Sequence, residues 1–331
     1  MNIYGAKYFR VMSLNRYIGG PVQDPRLKKV YLIDPFDKFI CNYSCRYCVL
    51  GRPLTDKCPI SRYRFNMLIK GAKYYVEKYG VRGVNAFLIS PYGEPTLLPE
   101  LPQLLRTLKT FNKPVAIYTN SSGILDDKIY NLLLNFDIIL FKLDTLYKDT
   151  LHSLNRPSDE IDPDEILSRL VRFRRDFPNK MYVETMFVRG YNDSFEEAME
   201  LISAIKRINP NKYFISMPYL PPGGDIRLPS RDTIDFVYRE LSQYMPNRVF
   251  ILDKPVEAPL NRKVDDPVEE LLYIASLYPI RLEEAYRYLG SFGMDGEVTV
   301  KELLDLGDIE VRVWMGEEYI VSMTLSRMIK N

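Results

Sequence analysis

The chain has 331 residues, more than the roughly 250–300 that one hydrophobic core usually supports, so we expect one large domain and one small domain. Its 46% hydrophobic and 27% charged residues are ordinary for a globular protein, and a net charge of +2 argues against nucleic-acid binding through overall charge. No segment approaches the roughly 20 apolar residues of a membrane span, and the first residues have no apolar signal core. We therefore predict a cytoplasmic protein without a membrane span.

Short apolar runs alternate with amphipathic segments along most of the chain. Residues 1–30 carry turn signals at Gly19-Gly20-Pro21 and Asp24-Pro25 and are predicted to be irregular. Strands are predicted at 29–33 or 38–40, and then at 84–90, 114–120, 137–144, 181–188 and 212–219. Helices are predicted near 61–80, 99–111, 125–135, 163–176, 195–208 and 231–245. This alternation indicates an α/β fold, a partial (βα)6 TIM-like barrel with its active site at the carboxyl ends of the strands.

The C-terminal residues follow a different pattern. Residues 248–265 are predicted to form a last strand and a linker, followed by helices at 266–278, 281–290 and 298–307 and two strands within 309–323. Three helices and a hairpin predict a small winged-helix-like domain, so we divide the chain into domains at 1–255 and 266–331. Its mixed charges leave three roles open: docking of a protein or peptide, DNA binding, or packing as a lid on the barrel.

Three of the four cysteines, Cys41, Cys45 and Cys48, form a CxxxCxxC triplet. Thiolates at this spacing can bind three irons of a [4Fe–4S] cluster and leave the fourth iron without a protein ligand. A structural zinc site is the alternative, with Cys58 as the fourth ligand, and would indicate a nucleic-acid-binding adaptor rather than an enzyme. The single histidine, His152, excludes a site with several histidines.

The turn Gly93-Glu94-Pro95 follows the strand predicted at 84–90. Such a turn exposes backbone carbonyls and one carboxylate, which suit an ammonium group. A loop in which the acidic residue only caps a helix is the alternative.

Several segments together resemble a known enzyme family: CNYSCRYCVLGRP, SPYGEPTL, YTNSSGIL, KLDTLYKDTLHSLNRP and VETMFVRGYNDS. They are similar to motifs of the radical S-adenosylmethionine (SAM) superfamily, and most closely to its archaeal and bacterial branch related to wyosine synthases. The resemblance covers about residues 30–255, with Tyr92 in place of the first glycine of the family's Gly-Gly-Glu-Pro motif. It implies a partial (βα)6 barrel, one [4Fe–4S] cluster and SAM.

The resemblance also implies roles for individual residues. Cys41, Cys45 and Cys48 would bind the cluster, and Tyr47 would pack near the SAM adenine. Gly93, Glu94 and Pro95 would hold the SAM amine. Other SAM-contacting candidates lie on or after the later strands: Asn120, Ser121, Asp144, Arg156, Glu184 and Met186.

Some of these assignments have alternatives. Asp144 and the neighbouring Thr119 could instead cap helices. Arg156 could bind the SAM carboxylate or a substrate phosphate, or it could be a solvated arginine on the surface. Lys142 could face the barrel as an ammonium group or form a charge pair. No acid or base catalyst is predicted.

The activity that the resemblance implies is reductive cleavage of SAM to a 5′-deoxyadenosyl radical, which abstracts hydrogen from a substrate. A ferredoxin or flavodoxin would supply the electron. The branch points to an RNA base in tRNA, but the chain has no cysteine before Cys41 for the second cluster of true wyosine synthases. A peptide or protein, including a glycyl-radical enzyme, and a small molecule remain as alternative substrates.

Overall fold

A computed structural model describes residues 17–36, 39–53, 55–56, 62–89, 93–253 and 263–322, with residues 62–64 as backbone only. Within these residues, eight strands form one curled sheet in the order of the sequence. They are β1 (Ile18–Asp24), β2 (Lys28–Ile33), β3 (Ala86–Ile89), β4 (Val115–Thr119), β5 (Ile138–Lys142), β6 (Lys180–Met186), β7 (Lys212–Ser216) and β8 (Val249–Leu252). Each neighbouring pair from β2 to β8 is parallel, so these strands end at one edge of the sheet. The sheet forms a partial TIM-like barrel.

Six helices connect the parallel strands and cover the outside of the sheet. They are α1 (Arg62–Tyr79), α2 (Leu101–Lys109), α3 (Asp127–Leu133), α4 (Pro163–Asp176), α5 (Phe195–Ile208) and α6 (Arg231–Tyr244). The predicted caps form: Asp162 accepts a bond from the backbone of Asp164 at 2.9 Å, and Ser194 accepts one from Glu197 at 3.2 Å. Six βα units are therefore present within the described residues, as the alternating pattern of the sequence predicted.

The prediction that residues 1–30 are irregular is wrong within the described part. Residues 18–24 form β1, which pairs antiparallel with β2 at the edge of the sheet. The register shifts between Gly19 and Val22, where Gly20 and Pro21 interrupt the pairing. Glycine and proline, which the sequence analysis treated as turn signals, are also tolerated in edge strands and at bulges. The local sequence could not distinguish these two cases.

The C-terminal residues form a compact unit against the barrel. It contains α7 (Pro267–Ala275), β9 (Ile280–Arg281), α8 (Leu282–Gly290), α9 (Gly296–Asp305), β10 (Ile309–Trp314) and β11 (Glu317–Ser322). The three strands pair antiparallel in the order β10-β11-β9. The predicted helices and hairpin are present, and β9 was missed because it is only two residues long. The winged-helix assignment and the domain boundaries stay predictions.

Backbone and side-chain contacts join the C-terminal unit to the barrel. Glu270 on α7 accepts a hydrogen bond from the backbone of Gly20 on β1 at 2.9 Å. Trp314 donates from Nε1 to the carbonyl of Pro218, after β7, at 2.8 Å. Buried residues of both parts belong to one continuous hydrophobic cluster. No helix in the described residues is long and apolar enough to cross a membrane.

Candidate active site

The cysteine loop lies at the carboxyl edge of the sheet, between two other loops. The backbone of Ser44 donates to the carbonyl of Arg156 at 3.1 Å, which joins the loop to the segment after β5. On the other side, the backbone of Gly223 donates to the carbonyl of Cys48 at 2.9 Å. A side chain at Gly223 would lie 2.7 Å from the Gly51 backbone, so this close approach requires glycine. Both neighbours are loops that follow strands of the barrel.

The Gly93-Glu94-Pro95 turn is joined to the cysteine loop through one residue, Ile40. Ile40 forms a parallel bridge with Gly93, and the backbone of Glu94 donates to the Ile40 carbonyl at 2.8 Å. Gly93 has φ of 138°, and a Cβ there would lie 1.6 Å from that carbonyl oxygen. Only glycine allows this contact, which ties the turn to the residue directly before Cys41.

The Glu94 carboxylate is buried and engaged by the protein. Oε1 accepts from Thr96 and from the Thr119 hydroxyl at 2.7 Å, and Oε2 accepts from the backbone of Asn120 at 2.6 Å. Burial raises its pKa, and these donors oppose that change. Glu94 therefore caps the turn that contains Pro95 and holds the end of β4, and only the remaining lone pair of Oε2 is available to a ligand.

Asn120 and Ser121 lie at the end of β4 but point to different partners. The Asn120 amide donates to Asn42 at 2.8 Å and lies 3.7 Å from the Cys41 sulfur. Ser121 is fully buried, and its hydroxyl donates to the Lys142 carbonyl at 2.6 Å. Asn120 thus faces the cysteines, whereas the Ser121 hydroxyl links the end of β4 to β5 by a hydrogen bond.

Asp144, directly after β5, is the centre of a buried hydrogen-bond network. Oδ2 accepts from the Tyr47 hydroxyl and from the Asn155 amide, the latter at 2.7 Å. Oδ1 accepts from the backbone of Met186 at 2.8 Å and lies 3.1 Å from the Lys142 ammonium. Asp144 is therefore not a helix cap. It links the cysteine loop, through Tyr47, to the ends of β5 and β6.

Asn155 is the member of this network that the sequence analysis did not select. Its amide lies 3.5 Å from the Cys45 sulfur as well as 2.7 Å from Asp144. It ends a π-helical turn over Leu151–Asn155, immediately before Arg156 in left-handed conformation. The neighbouring Arg156 drew attention because of its charge, and no local pattern marked the asparagine.

Glu184 on β6 points into the barrel, where it is held by two cations. Arg26, from the turn between β1 and β2, binds both carboxylate oxygens, and the Lys142 ammonium lies 3.6 Å from Oε1. Burial alone would raise the pKa of Glu184, but Arg26 and Lys142 outweigh it and lower the pKa to about 2. Lys142 thus forms charge pairs and also faces the barrel interior.

Met186 is half-buried at the end of β6. Asn192 fixes this strand end: its amide donates to the carbonyls of Asp144 and Met186, at 2.7 and 2.9 Å. Met186 packs with Tyr47 against a small apolar cluster that includes Leu154. Met186 and Tyr47 therefore pack against the same cluster at the end of β6.

Arg156 is half-buried beside the cysteine loop. Burial, and then the charges of Arg46 and Arg52, lower its pKa. Arg46 donates from Nε to the Ser153 carbonyl at 2.8 Å, and its guanidinium lies 5.4 Å from the ring of Tyr191.

The three thiols are half-buried and close enough to influence one another. Burial is the main reason that their pKa values are raised, to about 12 for Cys45 and about 11 for Cys48. Among the described residues, no three His, Cys, Asp or Glu side chains converge as the ligands of a single metal ion. Thiolates bound to three different irons of a cluster need not converge on one point. Cys58 and Tyr92 lie outside the described residues.

A small cavity opens beside Cys45, and its lining includes Tyr47, Asn120, Asp144 and Asn155. Three of its lining residues carry a buried polar atom that has no hydrogen-bond partner among the described residues: the Tyr43 hydroxyl, the Lys142 ammonium nitrogen and the Asn155 amide oxygen. The hydroxyl and the ammonium group can donate and the amide oxygen can accept, so these atoms favour a ligand with groups of both kinds, since buried polar groups without hydrogen bonds are costly. SAM, with its ammonium, carboxylate and ribose hydroxyls, fits this requirement.

Comparison with known proteins agrees with these observations. The family model described as "Radical SAM superfamily" matches residues 39–202, which include the cysteine loop and the strand ends described above. The chain belongs to the radical SAM superfamily. A UPF0026 protein of Methanocaldococcus jannaschii is 26% identical over 315 residues, covering 93% of this chain and 96% of that protein.

Solved radical SAM structures share the fold. A radical SAM methyltransferase from Sphaerobacter thermophilus superposes with a TM-score of 0.52 at 15% identity, covering 69% of this chain and 67% of that one. SuiB from Streptococcus suis, bound to SAM, gives a TM-score of 0.51 at 15% identity over 67% of this chain. The match spans about half of SuiB, 49% of its length.

Membership of the superfamily settles three predictions. The protein is a radical SAM enzyme, its cofactors are a [4Fe–4S] cluster and SAM, and it needs a reductant. The alternative of a zinc-stabilised adaptor is thereby set aside. The wyosine-synthase-related branch and the roles of individual residues stay predictions.

Proposed function

We propose that this enzyme binds its [4Fe–4S] cluster through Cys41, Cys45 and Cys48 and binds SAM in the adjacent cavity. The observation that carries the proposal is the Ile40 bridge, which joins the cysteine loop and the Gly93 turn into one unit. When bound, the reduced cluster supplies the electron that cleaves SAM to methionine and a 5′-deoxyadenosyl radical, and this radical abstracts hydrogen from the substrate.

The residues around the cavity would bind and orient SAM. The backbone of the Gly93 turn and the free lone pair of Glu94 suit the SAM ammonium. The Lys142 ammonium is a cation of the described cavity lining, and it would reach the SAM carboxylate while it keeps its charge pairs with Asp144 and Glu184. Asp144 and Asn155 would fix the ring of Tyr47 beside the adenine. For Glu184, engaged by Arg26, we propose an indirect role in which it holds Lys142 in place.

The experiment is anaerobic reconstitution with iron and sulfide, followed by reduction in the presence of SAM. We expect about four irons per chain, broad visible absorbance and formation of 5′-deoxyadenosine without added substrate. Cys45→Ala should abolish this cleavage. Cys58→Ala is the matched control and should retain it. Wild-type turnover in Cys45→Ala would refute the ligand assignment, and loss in Cys58→Ala would make Cys58 part of the site.

For the substrate we propose an RNA base, because the sequence motifs resemble the wyosine-synthase-related branch. The test adds fractionated cell extract to the reduced enzyme and measures stimulation of 5′-deoxyadenosine formation. Stimulation that ribonuclease abolishes supports RNA. Stimulation that protease abolishes, or that survives both treatments, contradicts RNA and assigns a peptide or protein, or a small molecule, respectively.

We also propose that the C-terminal unit is a winged helix that borders the site. The order of its elements supports this, as does Trp314 at the end of β10, which packs near Tyr47 and Met186. Trp314→Ala should lower substrate-stimulated turnover more than SAM cleavage without substrate, and equal effects on both would contradict a role toward the substrate.

A further inference from the structure

Three arginines surround the cysteine loop. Arg46 lies inside the loop, Arg52 follows it, and Arg156 belongs to the segment after β5. The backbone of Arg46 donates to the Leu154 carbonyl at 2.9 Å, and the carbonyl of Arg156 accepts from Ser44 at 3.1 Å. These bonds bring Arg46 and Arg156 to one side of the candidate active site, and Arg52 is near enough for its charge, like that of Arg46, to act on Arg156.

The charges of these arginines are not balanced within the described part of the chain. Within the described residues, the Arg46 side chain has two recorded partners, the Ser153 carbonyl and the Tyr191 ring, and both are neutral. No ion pair to a described carboxylate is formed by Arg46, Arg52 or Arg156. Elsewhere in the molecule, arginine ion pairs are common. Like charges held together without counter-ions produce a positive field that attracts anions.

The arginines lie outside the cofactor cavity. Its lining includes Cys45, Tyr47 and Asn155 but none of the three arginines. Arg52 is exposed to solvent, and Arg46 and Arg156 are half-buried. An anion bound to them would therefore rest on the solvent side of the loop, close to the half-buried thiols.

We propose that Arg46, Arg52 and Arg156 form a docking site for an acidic electron-transfer protein of the ferredoxin or flavodoxin type. This inference rests on the proposed function, since it assumes a cluster on the three cysteines. One electron passes from the reduced carrier to the cluster; the carrier is oxidised by one electron, the cluster is reduced from the 2+ to the 1+ state, and no bond forms or breaks. We favour a carrier over nucleic acid because the charge is concentrated on the loop that holds the cluster ligands, where the electron must enter.

The test compares two reductants of opposite charge on the reconstituted full-length enzyme. One is a reduced flavodoxin, which is acidic, and the other is reduced methyl viologen, a small cation. The variants are Arg52→Glu and the double change Arg46→Glu with Arg52→Glu. Arg82→Glu is the matched control: Arg82 is exposed just before β3, at the opposite edge of the sheet. The readout is the rate of 5′-deoxyadenosine formation at low and at high salt.

We expect Arg52→Glu to slow the flavodoxin-driven rate about three- to tenfold at low salt, and the double variant to slow it further. High salt should reduce these differences, and Arg82→Glu should behave as wild type. The viologen-driven rate of Arg52→Glu should stay at the wild-type level.

Three results would overturn the docking site. The first is an unchanged flavodoxin-driven rate in both variants, and the second is an equal loss of rate with both reductants. The third is a loss only of the stimulation of 5′-deoxyadenosine formation by RNA, which would assign the arginines to a nucleic-acid substrate. If the wild-type enzyme fails to cleave SAM even with methyl viologen, the proposed function itself fails, so the two hypotheses are separated.

Discussion

At the scale of single residues, Gly93 shows how a motif acts through backbone contact. The Gly93 backbone lies so close to Ile40 that no side chain fits, and the contact joins the SAM motif to the cluster loop. The glycine is therefore required by geometry at this position, in addition to any bond that its carbonyl makes to SAM.

We predict that Gly93→Ala separates the turn from the cysteine loop and abolishes SAM cleavage, with a lower iron content after reconstitution. Gly83→Ala is the control, because Gly83 also has positive φ but no atom lies within 4 Å of its Cβ position. That change should cost only about 1 kcal/mol of stability and leave activity intact. Full activity in Gly93→Ala would contradict the prediction.

Asn155 has a candidate role only because the fold places it beside Cys45 and Asp144. It lies between the Cys45 sulfur and Asp144, so it can donate to a cluster ligand and to the network that holds Tyr47. Hydrogen bonds to cluster sulfurs, and nearby charge, set the reduction potential of such clusters.

We predict that Asn155→Asp lowers the reduction potential of the cluster by tens of millivolts, because it removes a donor and adds negative charge beside the thiolate. Asn155→Ala, which only removes the donor, should lower the potential less. A redox titration followed by electron paramagnetic resonance measures both. Equal potentials in wild type and Asn155→Asp would show that the amide does not act on the cluster.

At the scale of elements, β1 and the turn after it supply a buried cation that the repeating βα units do not provide. The turn between β1 and β2 carries Arg26 into the barrel, where it pairs with Glu184, 158 residues later in the chain. Both side chains are nearly inaccessible, 11% and 1% exposed, so the pair is protected from solvent screening.

We predict that Arg26→Met destabilises the protein by about 3 kcal/mol, because it removes the cation that binds both oxygens of the buried Glu184 carboxylate. Arg169→Met removes an exposed pair with Asp127 and should cost less than about 1 kcal/mol. Urea unfolding measures both changes. Similar losses of unfolding free energy in the two variants would show that the buried pair contributes no more to stability than the exposed pair.

The same pair has a pH signature. The pKa of Glu184 is lowered from 4.5 to about 2, so its stabilising effect is complete above pH 4.5 and is lost as the pH falls through 2. Arg26→Met should therefore lose stability less steeply than wild type over this acid range. If the stabilities of wild type and Arg26→Met fall in parallel as the pH decreases, Arg26 does not cause the lowered pKa of Glu184.

At the scale of the whole molecule, the C-terminal unit and the barrel share a buried acid. Glu270 on α7 accepts from Gly20 on β1, and the described contacts give it no cation. Burial is the main cause that raises its pKa from 4.5 to about 7, assisted by the neighbouring Glu269. A raised pKa means that the folded protein loses stability as the pH rises from 4.5 through 7, since the buried group must then ionise.

We predict that Glu270→Gln is more stable than wild type at pH 8, by at most about 3 kcal/mol, and nearly equal to it at pH 4. The glutamine keeps an oxygen for the Gly20 amide and cannot ionise. Glu302→Gln, on the exposed face of α9, should change neither value. Thermal unfolding at the two pH values measures the effect, and a gain that is equal at both would refute this pKa explanation.

The barrel was largely predictable from sequence. The helices predicted at 163–176 and 195–208 match α4 and α5, because their caps and apolar spacing are local properties. Strand β1 was missed because its glycines and proline have two structural meanings, and only pairing with β2 decides between them.

The sequence by itself determined the radical chemistry: the spacing of Cys41, Cys45 and Cys48 and the Gly93-Glu94-Pro95 turn indicated the cluster and SAM before any fold was known. Both motifs are short and continuous, so their chemistry can be recognised locally. Only the tertiary structure decided which side chains are engaged by the protein. Arg26 reaches Glu184, and Asn155 reaches Cys45 across 110 residues, because parallel strands bring distant segments to one edge of a sheet.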